Sequence, residues 1–274
     1  MPELPEVETV RRSLEREFLN LRLKKLEVRE SRLLQNCSEK ELKRAVLNNK
    51  LEAMERRAKF LILGFGDYAI LFHLRMTGWF HLKPTKNPRL ILEFDRKKLY
   101  FEDTRRFATL SLFETAQLSQ CAPLAQLGIE PFYKNYTLEN FFEIIKSAQE
   151  IKRLLLDQTK IAGLGNIYAS EALFASKIHP LRLASSLTRT EAKALFQSIE
   201  KILAQAIQEQ GTTIQNYRSL DGVGNFQNLL AVYDRANHPC IRCKAIIERV
   251  VQGGRSSYFC PRCQRLEGQK RRYS

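Results

Sequence analysis

At 274 residues, with 44% hydrophobic and 9% aromatic side chains, the chain can bury a substantial core, which argues against a disordered tail protein. Forty-five Lys and Arg against 30 Asp and Glu leave a formal charge of +15. Nucleic acid is the first candidate partner, because each neutralised phosphate releases condensed counterion; a membrane surface, an acidic protein or a merely soluble basic surface are the alternatives. The start, MPELPEVE, holds three carboxylates where a signal peptide would be cationic. No stretch approaches the ~20 apolar residues that span a bilayer, so a cytoplasmic protein with no membrane partner is expected.

Val7, Val10, Leu14 and Phe18 recur at helical spacing behind Pro5 and predict a helix from about Pro5 to Leu19. From Leu21 to Phe113 the pattern changes to short apolar or alternating runs, Phe60 to Phe65, Ala69 to Leu74, Leu90 to Phe94 and Ala108 to Phe113, separated by Gly, Asp, Asn and Pro. They predict a β-rich domain built as a sandwich. CAPLAQLGIEPFYK, from Cys121 to Lys134, reads as a linker. Helical spacing follows at Phe141 to Ile145, Ile151 to Leu156, Ile167 to Phe174 and Glu191 to Gln208. A last segment carries four cysteines and short strands such as Ala245 to Val251. The expected domains are 2–120, a β-sandwich behind the N-terminal helix, then a linker over 121–135, a helical domain over 136–225 and a cysteine module over 226–274.

Cys240 and Cys243 enclose two residues, as do Cys260 and Cys263, and sixteen residues separate the pairs. Two tight turns joined by a strand hairpin would close a four-thiolate tetrahedron, which leaves no position for water or substrate and so predicts one structural Zn2+. Arg242, Lys244, Arg249, Arg255, Arg262 and Arg265 surround it. They are either cations presented to DNA or a solvated basic surface. Cys37 and Cys121 stand alone and read as packing residues. The run from Ala162 to Glu171, AGLGNIYASE, sets Gly163, Gly165 and Asn166 before a helix, where exposed amides could receive a phosphate with Asn166 as an added donor. A glycine-rich turn joining two helices without a ligand is the plainer alternative.

Removal of Met1 would leave Pro2 with a free secondary amine beside Glu3 and Glu6. An α-amino group titrates at roughly 7.7–8.0, well below lysine at about 10.4, so much more of it is nucleophilic at neutral pH. Attack on a sugar C1′ would form an iminium, an electron sink that permits elimination. The alternative is that MPELPE only caps the first helix with favourable dipole charges.

The start PELPEVE, the RRAK run with Lys59, HLRMTG with Met76, DTRRF with Arg105 and Phe107, GLGNIYASE and the cysteine quartet together resemble the formamidopyrimidine-DNA glycosylase family, in order and over nearly the whole chain. Leu4 stands where the related endonuclease VIII usually has glycine, which favours the oxidised-purine enzyme. The resemblance implies an α+β multidomain fold: N-terminal helix plus β-sandwich, helix-two-turns-helix domain and C-terminal β-hairpin zinc finger. It implies a bacterial-type, monomeric base-excision enzyme, nucleoid-associated through DNA, that removes oxidised purines (8-oxoguanine, formamidopyrimidines) from damaged double-stranded DNA and cleaves the strand by β,δ-elimination. Pro2 would be the Schiff-base nucleophile, Glu3 the general acid, Lys59 a proton donor in β-elimination and Arg255 a phosphate clamp linked to δ-elimination. Met76, Arg105 and Phe107 would fill the gap left by the extruded base, where lost stacking and pairing must be compensated. Glu6, Lys152 and Asn166 would also bind DNA. Asn87 and Ser147 stand where relatives carry DNA-touching His and Lys, with Arg89, Lys146 and Lys152 nearby. Gly211 to Phe226 resembles the family's loop over the flipped base. An oxidised-pyrimidine glycosylase of the endonuclease VIII type and a non-catalytic zinc-dependent DNA-binding protein are the alternatives.

Overall fold

The computed structural model describes residues 2–213 and 224–266. The chain forms two compact units, Met1–Gln126 with Ala206–Gln227, and Leu127–Gln205 with Asn228–Ser274. None of the described helices is long and apolar enough to cross a membrane.

In the first unit, α1 (Leu4–Phe18) turns Val7, Val10, Leu14 and Phe18 inward, as their spacing predicts, and packs against β2 (Ala53–Arg57) and β3 (Phe60–Phe65). Between α1 and β2 come β1 (Leu23–Val28) and α2 (Glu39–Val46). After β3 follow β4 (Tyr68–His73), β5 (Gly78–His81), β6 (Leu90–Phe94), β7 (Lys98–Asp103) and β8 (Thr109–Glu114). They make two four-stranded antiparallel sheets, ordered β1-β6-β7-β5 and β2-β3-β4-β8. Leu26, Leu90, Leu92, Phe94 and Phe101 from one sheet and Leu61, Leu63, Phe65, Ile70 and Phe72 from the other share one core, the sandwich expected from the sequence. β6 alternates buried and half-buried residues, whereas β3 and β4 are buried along almost their whole length. That difference explains why the latter read as unbroken apolar runs.

The sequence reading missed α2 inside this strand-rich stretch. Its signal is Ser38 followed by Glu41: the Ser38 hydroxyl accepts from the Glu41 N–H at 3.2 Å, and the Glu41 carboxylate accepts from the Ser38 N–H at 2.8 Å. The stretch read as a linker opens with a short helix, α3 (Ala122–Ala125).

In the second unit Gly128 lies so close to the backbone of residues 159 and 160 that an added Cβ would meet the Lys160 carbonyl oxygen at 2.2 Å. The helices are α4 (Leu138–Ile145), α5 (Ile151–Leu156), α6 (Asn166–Ala175) and α7 (Arg189–Gln208), whose last turn enters the first unit's segment. β9 (Glu248–Gln252) and β10 (Arg255–Phe259) pair as a hairpin, starting three residues later than the expected strand at Ala245. Gly253 and Gly254, at φ 55° and 73°, form its two-residue turn, a geometry in which both central residues need positive φ.

Candidate functional site

The first unit holds the N-terminal chemistry. Pro2 is buried, and Glu3, at φ −103° and ψ −171°, is the N-cap of α1. The Glu6 carboxylate reaches back to the Glu3 N–H at 2.8 Å, and its other oxygen accepts from the Thr212 N–H at 2.8 Å. Helix capping is therefore present, and it holds the residue that follows Pro2. Gly211 must be glycine here: its φ is +80°, and a Cβ would meet the Glu6 carboxylate at 2.8 Å. Glu6 is thus a buried tie between the helix start and residues 211–213. Residues 214–223 of the stretch likened to the loop over the flipped base lie outside the described residues, as does Met1.

Lys59 sits in the tight turn between β2 and β3, after Ala58 at φ 51°. The RRAK run builds that turn through Arg56, which donates to the Ala58 carbonyl at 3.0 Å and to the Glu8 carboxylate of α1 at 3.2 Å. Burial pushes Glu8 up, but hydrogen bonds from Arg11 and Arg12 and the charges of Arg11 and Arg56 outweigh it and hold the carboxylate below its usual range. Lys59 is buried, and its charge bears on His73, the register partner of Phe60. Burial first, then Arg75 and Lys59, bring the His73 imidazole down to about 3. The Arg75 N–H donates to its Nδ1 at 3.0 Å, which leaves Nε2 as the protonated nitrogen.

Two exposed turns carry the proposed gap-fillers. Met76, 42% exposed, lies between β4 and β5, and Phe107, 51% exposed, lies after β7 with the Arg105 guanidinium 4.9 Å from its ring centre. Both turns hang on one buried carboxylate that the sequence reading did not single out. Asp103 accepts from the Arg105 N–H at 3.2 Å, the Phe107 N–H at 2.7 Å and the Ala108 N–H at 2.8 Å, and also from the Thr77 hydroxyl. Gly78 closes the Met76 turn, since a Cβ there would meet the Leu74 carbonyl oxygen at 2.6 Å. Core packing, the plainer reading of Met76 and Phe107, does not fit this exposure. Asn87 is exposed in the segment before β6.

The second unit holds the phosphate-binding candidates. Gly163 has φ 93°, but Gly165 is extended at −135° as the N-cap of α6, so only the first uses the left-handed region. Asn166 is the first residue of α6, and its Nδ2 donates to the Ser256 carbonyl at 2.9 Å. Lys152, expected on DNA, is only 1% exposed: its Nζ donates to the Ser256 carbonyl at 2.9 Å and the Ser257 hydroxyl at 2.8 Å. Arg255 stands exposed at the hairpin tip, in register with Gln252. Ser147 takes part in local turn bonding, accepting from the Gln149 N–H at 3.2 Å. Glu171 at the end of GLGNIYASE accepts from the N–H groups of Ala231, Val232 and Tyr233 at 2.8 to 3.0 Å. Burial pushes its carboxyl up, partly opposed by those three bonds and by Arg235.

The four cysteine sulfurs lie within 4.8 Å of one another, with Cys240 to Cys263 at 3.9 Å and Cys243 to Cys260 at 3.4 Å. The edge of a ZnS4 tetrahedron is about 3.8 Å, so the quartet fits one structural Zn2+ held by Cys240, Cys243, Cys260 and Cys263. The cysteine turns are braced by side chains of this chain: Gln264 accepts from the Cys260 N–H at 2.9 Å and donates to the Ile178 carbonyl at 2.8 Å. Arg242 is used locally, 4.2 Å from the Phe174 ring centre and donating to the Phe174 carbonyl at 2.8 Å at the end of α6.

Three family models match in chain order: the formamidopyrimidine-DNA glycosylase N-terminal domain over residues 1–110, the formamidopyrimidine-DNA glycosylase H2TH domain over 127–218, and the zinc finger found in FPG and IleRS over 237–266. The formamidopyrimidine-DNA glycosylase of Ligilactobacillus salivarius is 42% identical over 96% of this chain and 99% of its own, and that of Exiguobacterium sibiricum 39% identical over 97% and 99%. Among solved structures, a Lactococcus lactis FPG mutant bound to Fapy-dG DNA superposes with a TM-score of 0.92 at 36% identity, covering 97% of this chain and 100% of the other. The MutM (FPG) protein of Thermus thermophilus superposes with a TM-score of 0.89 at 39% identity, covering 96% and 98%. With an N-terminal helix and β-sandwich, a helical domain and a cysteine-pinned hairpin in that order, the chain belongs to the formamidopyrimidine-DNA glycosylase family.

Proposed function

We propose that this chain excises oxidised purines, 8-oxoguanine and formamidopyrimidines, from double-stranded DNA with Pro2 as nucleophile, and then cleaves the strand as a lyase. The observation that carries the reading is the buried Pro2 beside Glu3 at the start of α1, with the Glu3 backbone held by Glu6. After loss of Met1, the Pro2 nitrogen lone pair attacks C1′; the damaged base leaves with the electrons of the glycosidic bond and takes up the proton that the Pro2 nitrogen gives up. Ring opening at O4′, with a proton supplied by Glu3 as general acid, gives an iminium between Pro2 and C1′. The positive nitrogen acidifies C2′; loss of that proton expels the 3′-phosphate, for which Lys59 is the proton donor. A second elimination then expels the 5′-phosphate, with Arg255 holding phosphate.

Met76, Arg105 and Phe107 are assigned to the gap left by the extruded base, a role their exposure and shared Asp103 support. Asn166 is assigned to the DNA backbone at the start of α6, and Glu6 acts through the N-terminus it ties down. The domain division that accompanies this reading is 2–120 catalytic, 121–135 linker, 136–225 DNA-binding and 226–274 zinc finger. A cytoplasmic enzyme, nucleoid-associated through DNA, follows from the substrate. The relatives carry the formamidopyrimidine-DNA glycosylase name over 96 to 97% of the chain, which leaves the oxidised-pyrimidine and non-catalytic readings without support.

Borohydride trapping on an 8-oxoguanine duplex tests the assignment. A covalent complex mapping to Pro2 is expected, and Pro2→Gly should reduce trapping by at least about tenfold. Undiminished trapping in that variant would exclude Pro2.

A further inference from the structure

Lys152 carries a charge into a place where charge is costly, because an ammonium removed from water must recover its hydration from fixed acceptors. Two of those acceptors belong to consecutive residues of β10, the Ser256 carbonyl and the Ser257 hydroxyl, at 2.9 and 2.8 Å. Both follow Arg255 directly. The Ser256 carbonyl also accepts Nδ2 of Asn166 at 2.9 Å, so both of its lone pairs are used. The Ser257 hydroxyl passes its proton to Gln252 Oε1 at 2.9 Å, and Gln252 Nε2 donates to Glu150 at 2.7 Å and to the Pro180 carbonyl at 3.1 Å. Gln252 and Arg255 are the register pair that closes the two-glycine turn. Glu150 is the N-cap of α5, and Lys152 lies in its first turn. The first turn of α5 therefore grips both strands of the hairpin, β9 through Glu150 and β10 through Lys152.

We infer that Lys152 is a positioning residue: it fixes the hairpin tip, and so the direction of Arg255, through the Ser256 carbonyl, and makes no phosphate contact of its own. The inference rests on the reading of Arg255 as the phosphate clamp. Lys152 is 1% exposed and so offers almost no surface from which to displace a counterion, whereas Arg255 is exposed.

The test compares K152M, R255A and the double variant on a duplex containing a stable abasic-site analogue, with the salt dependence of binding as one readout and the ratio of δ- to β-elimination products on an abasic duplex as the other. K152M leaves the Ser256 carbonyl on Asn166 and the Ser257 hydroxyl on Gln252, so neither of these two groups is stranded. Thermal melting and zinc content check the fold. R255A should lower the salt slope by about 0.9, the effect of one lost phosphate contact. K152M should lower it by no more than that and cut the δ-to-β ratio by about tenfold, and the double variant should match R255A in both readouts. A slope lowered by about 1.8 in the double variant would mean that Lys152 touches a phosphate itself and would overturn the inference. A changed R255A with an unchanged K152M would overturn it alone, whereas an unchanged R255A would remove the reading of Arg255 and the inference with it. If K152M does not fold, S257A removes one acceptor of the ammonium without deleting a charge; a shift of the product ratio in the same direction supports the inference, and a wild-type ratio overturns it.

Discussion

His73 lies at the end of β4, its ring edge-on to Phe60 with centroids 4.7 Å apart. Protonation would turn its Nδ1 from acceptor to donor against the Arg75 N–H and add a charge beside Arg75 and Lys59. Burial first, then the charges of Arg75 and Lys59, push the folded imidazole down from 6.5 to about 3. Between those values the unfolded chain binds the extra proton, so stability falls as pH drops below about 6.5, by about 2 kcal/mol from this group at pH ~5. NMR of the His73 ring should show no protonation above pH ~4, and H73Q should lose less stability on acidification than the parent. A ring midpoint near pH ~6 would contradict this. Other single residues have buried partners far away in the chain. Glu6, expected on DNA, is tied to Thr212, 206 positions away, and Lys152 to residues 256 and 257. Neither partner has a mark in the sequence, because carbonyls, N–H groups and serines are common and only the fold selects among them.

The elements differ in how openly they announced themselves. α1, β3 and β6 matched their expected spans to within a residue, since each carries an unmixed apolar pattern against a single core. β1, β2, β5 and β7 were not singled out. β1, β2 and β7 mix charged and apolar residues, as in Leu23–Val28 and Lys98–Asp103, β5 is only four residues long, and all four owe their extended form to neighbours in the sheets. The DTRRF and HLRMTG turns were recognised as motifs, but their dependence on Asp103 was not, because it joins residues 77 and 103 across the β5–β7 pair. Replacing Asp103 by Ala strands several donors at once and should cost about 2–4 kcal/mol of stability in urea unfolding and more than about tenfold in excision. Asp103→Asn, which keeps acceptor oxygen, should lose less. Wild-type excision by D103A would show that the two turns do not need their common anchor.

The sandwich has a core of its own in the first unit; in the second, α4 to α7 bury Phe141, Leu154, Tyr168 and Leu195, and a smaller second cluster of Phe174, Ala231, Val232, Ile247, Cys240 and Cys260 surrounds the cysteine site. The second cluster is too small to order a hairpin without its metal, and a structural zinc of this kind is worth about 10–16 kcal/mol in isolated finger peptides. Complete chelation should therefore weaken DNA binding by at least about a hundredfold while the sheet signal of the sandwich survives in circular dichroism. Unchanged affinity in the zinc-free protein would refute a DNA-binding role for the hairpin. The charge of +15 predicts that binding falls steeply with salt in any case, so the comparison must be made at one ionic strength.

What the sequence determined by itself was local or periodic: the inward stripe of α1, the apolar runs of the sandwich, the four-thiolate spacing and the order of motifs that marks the family. These need only neighbouring residues or a repeat to be read. Tertiary structure alone decided that Glu6 ties the helix start to residue 212, that Arg56 braces the Lys59 turn, that Asp103 anchors both exposed turns and that Lys152 is buried against the Ser256 carbonyl and the Ser257 hydroxyl. Each is a buried polar contact whose cost is offset only by a partner brought near by strand register or helix packing, and distance along the chain carries no information about that partner.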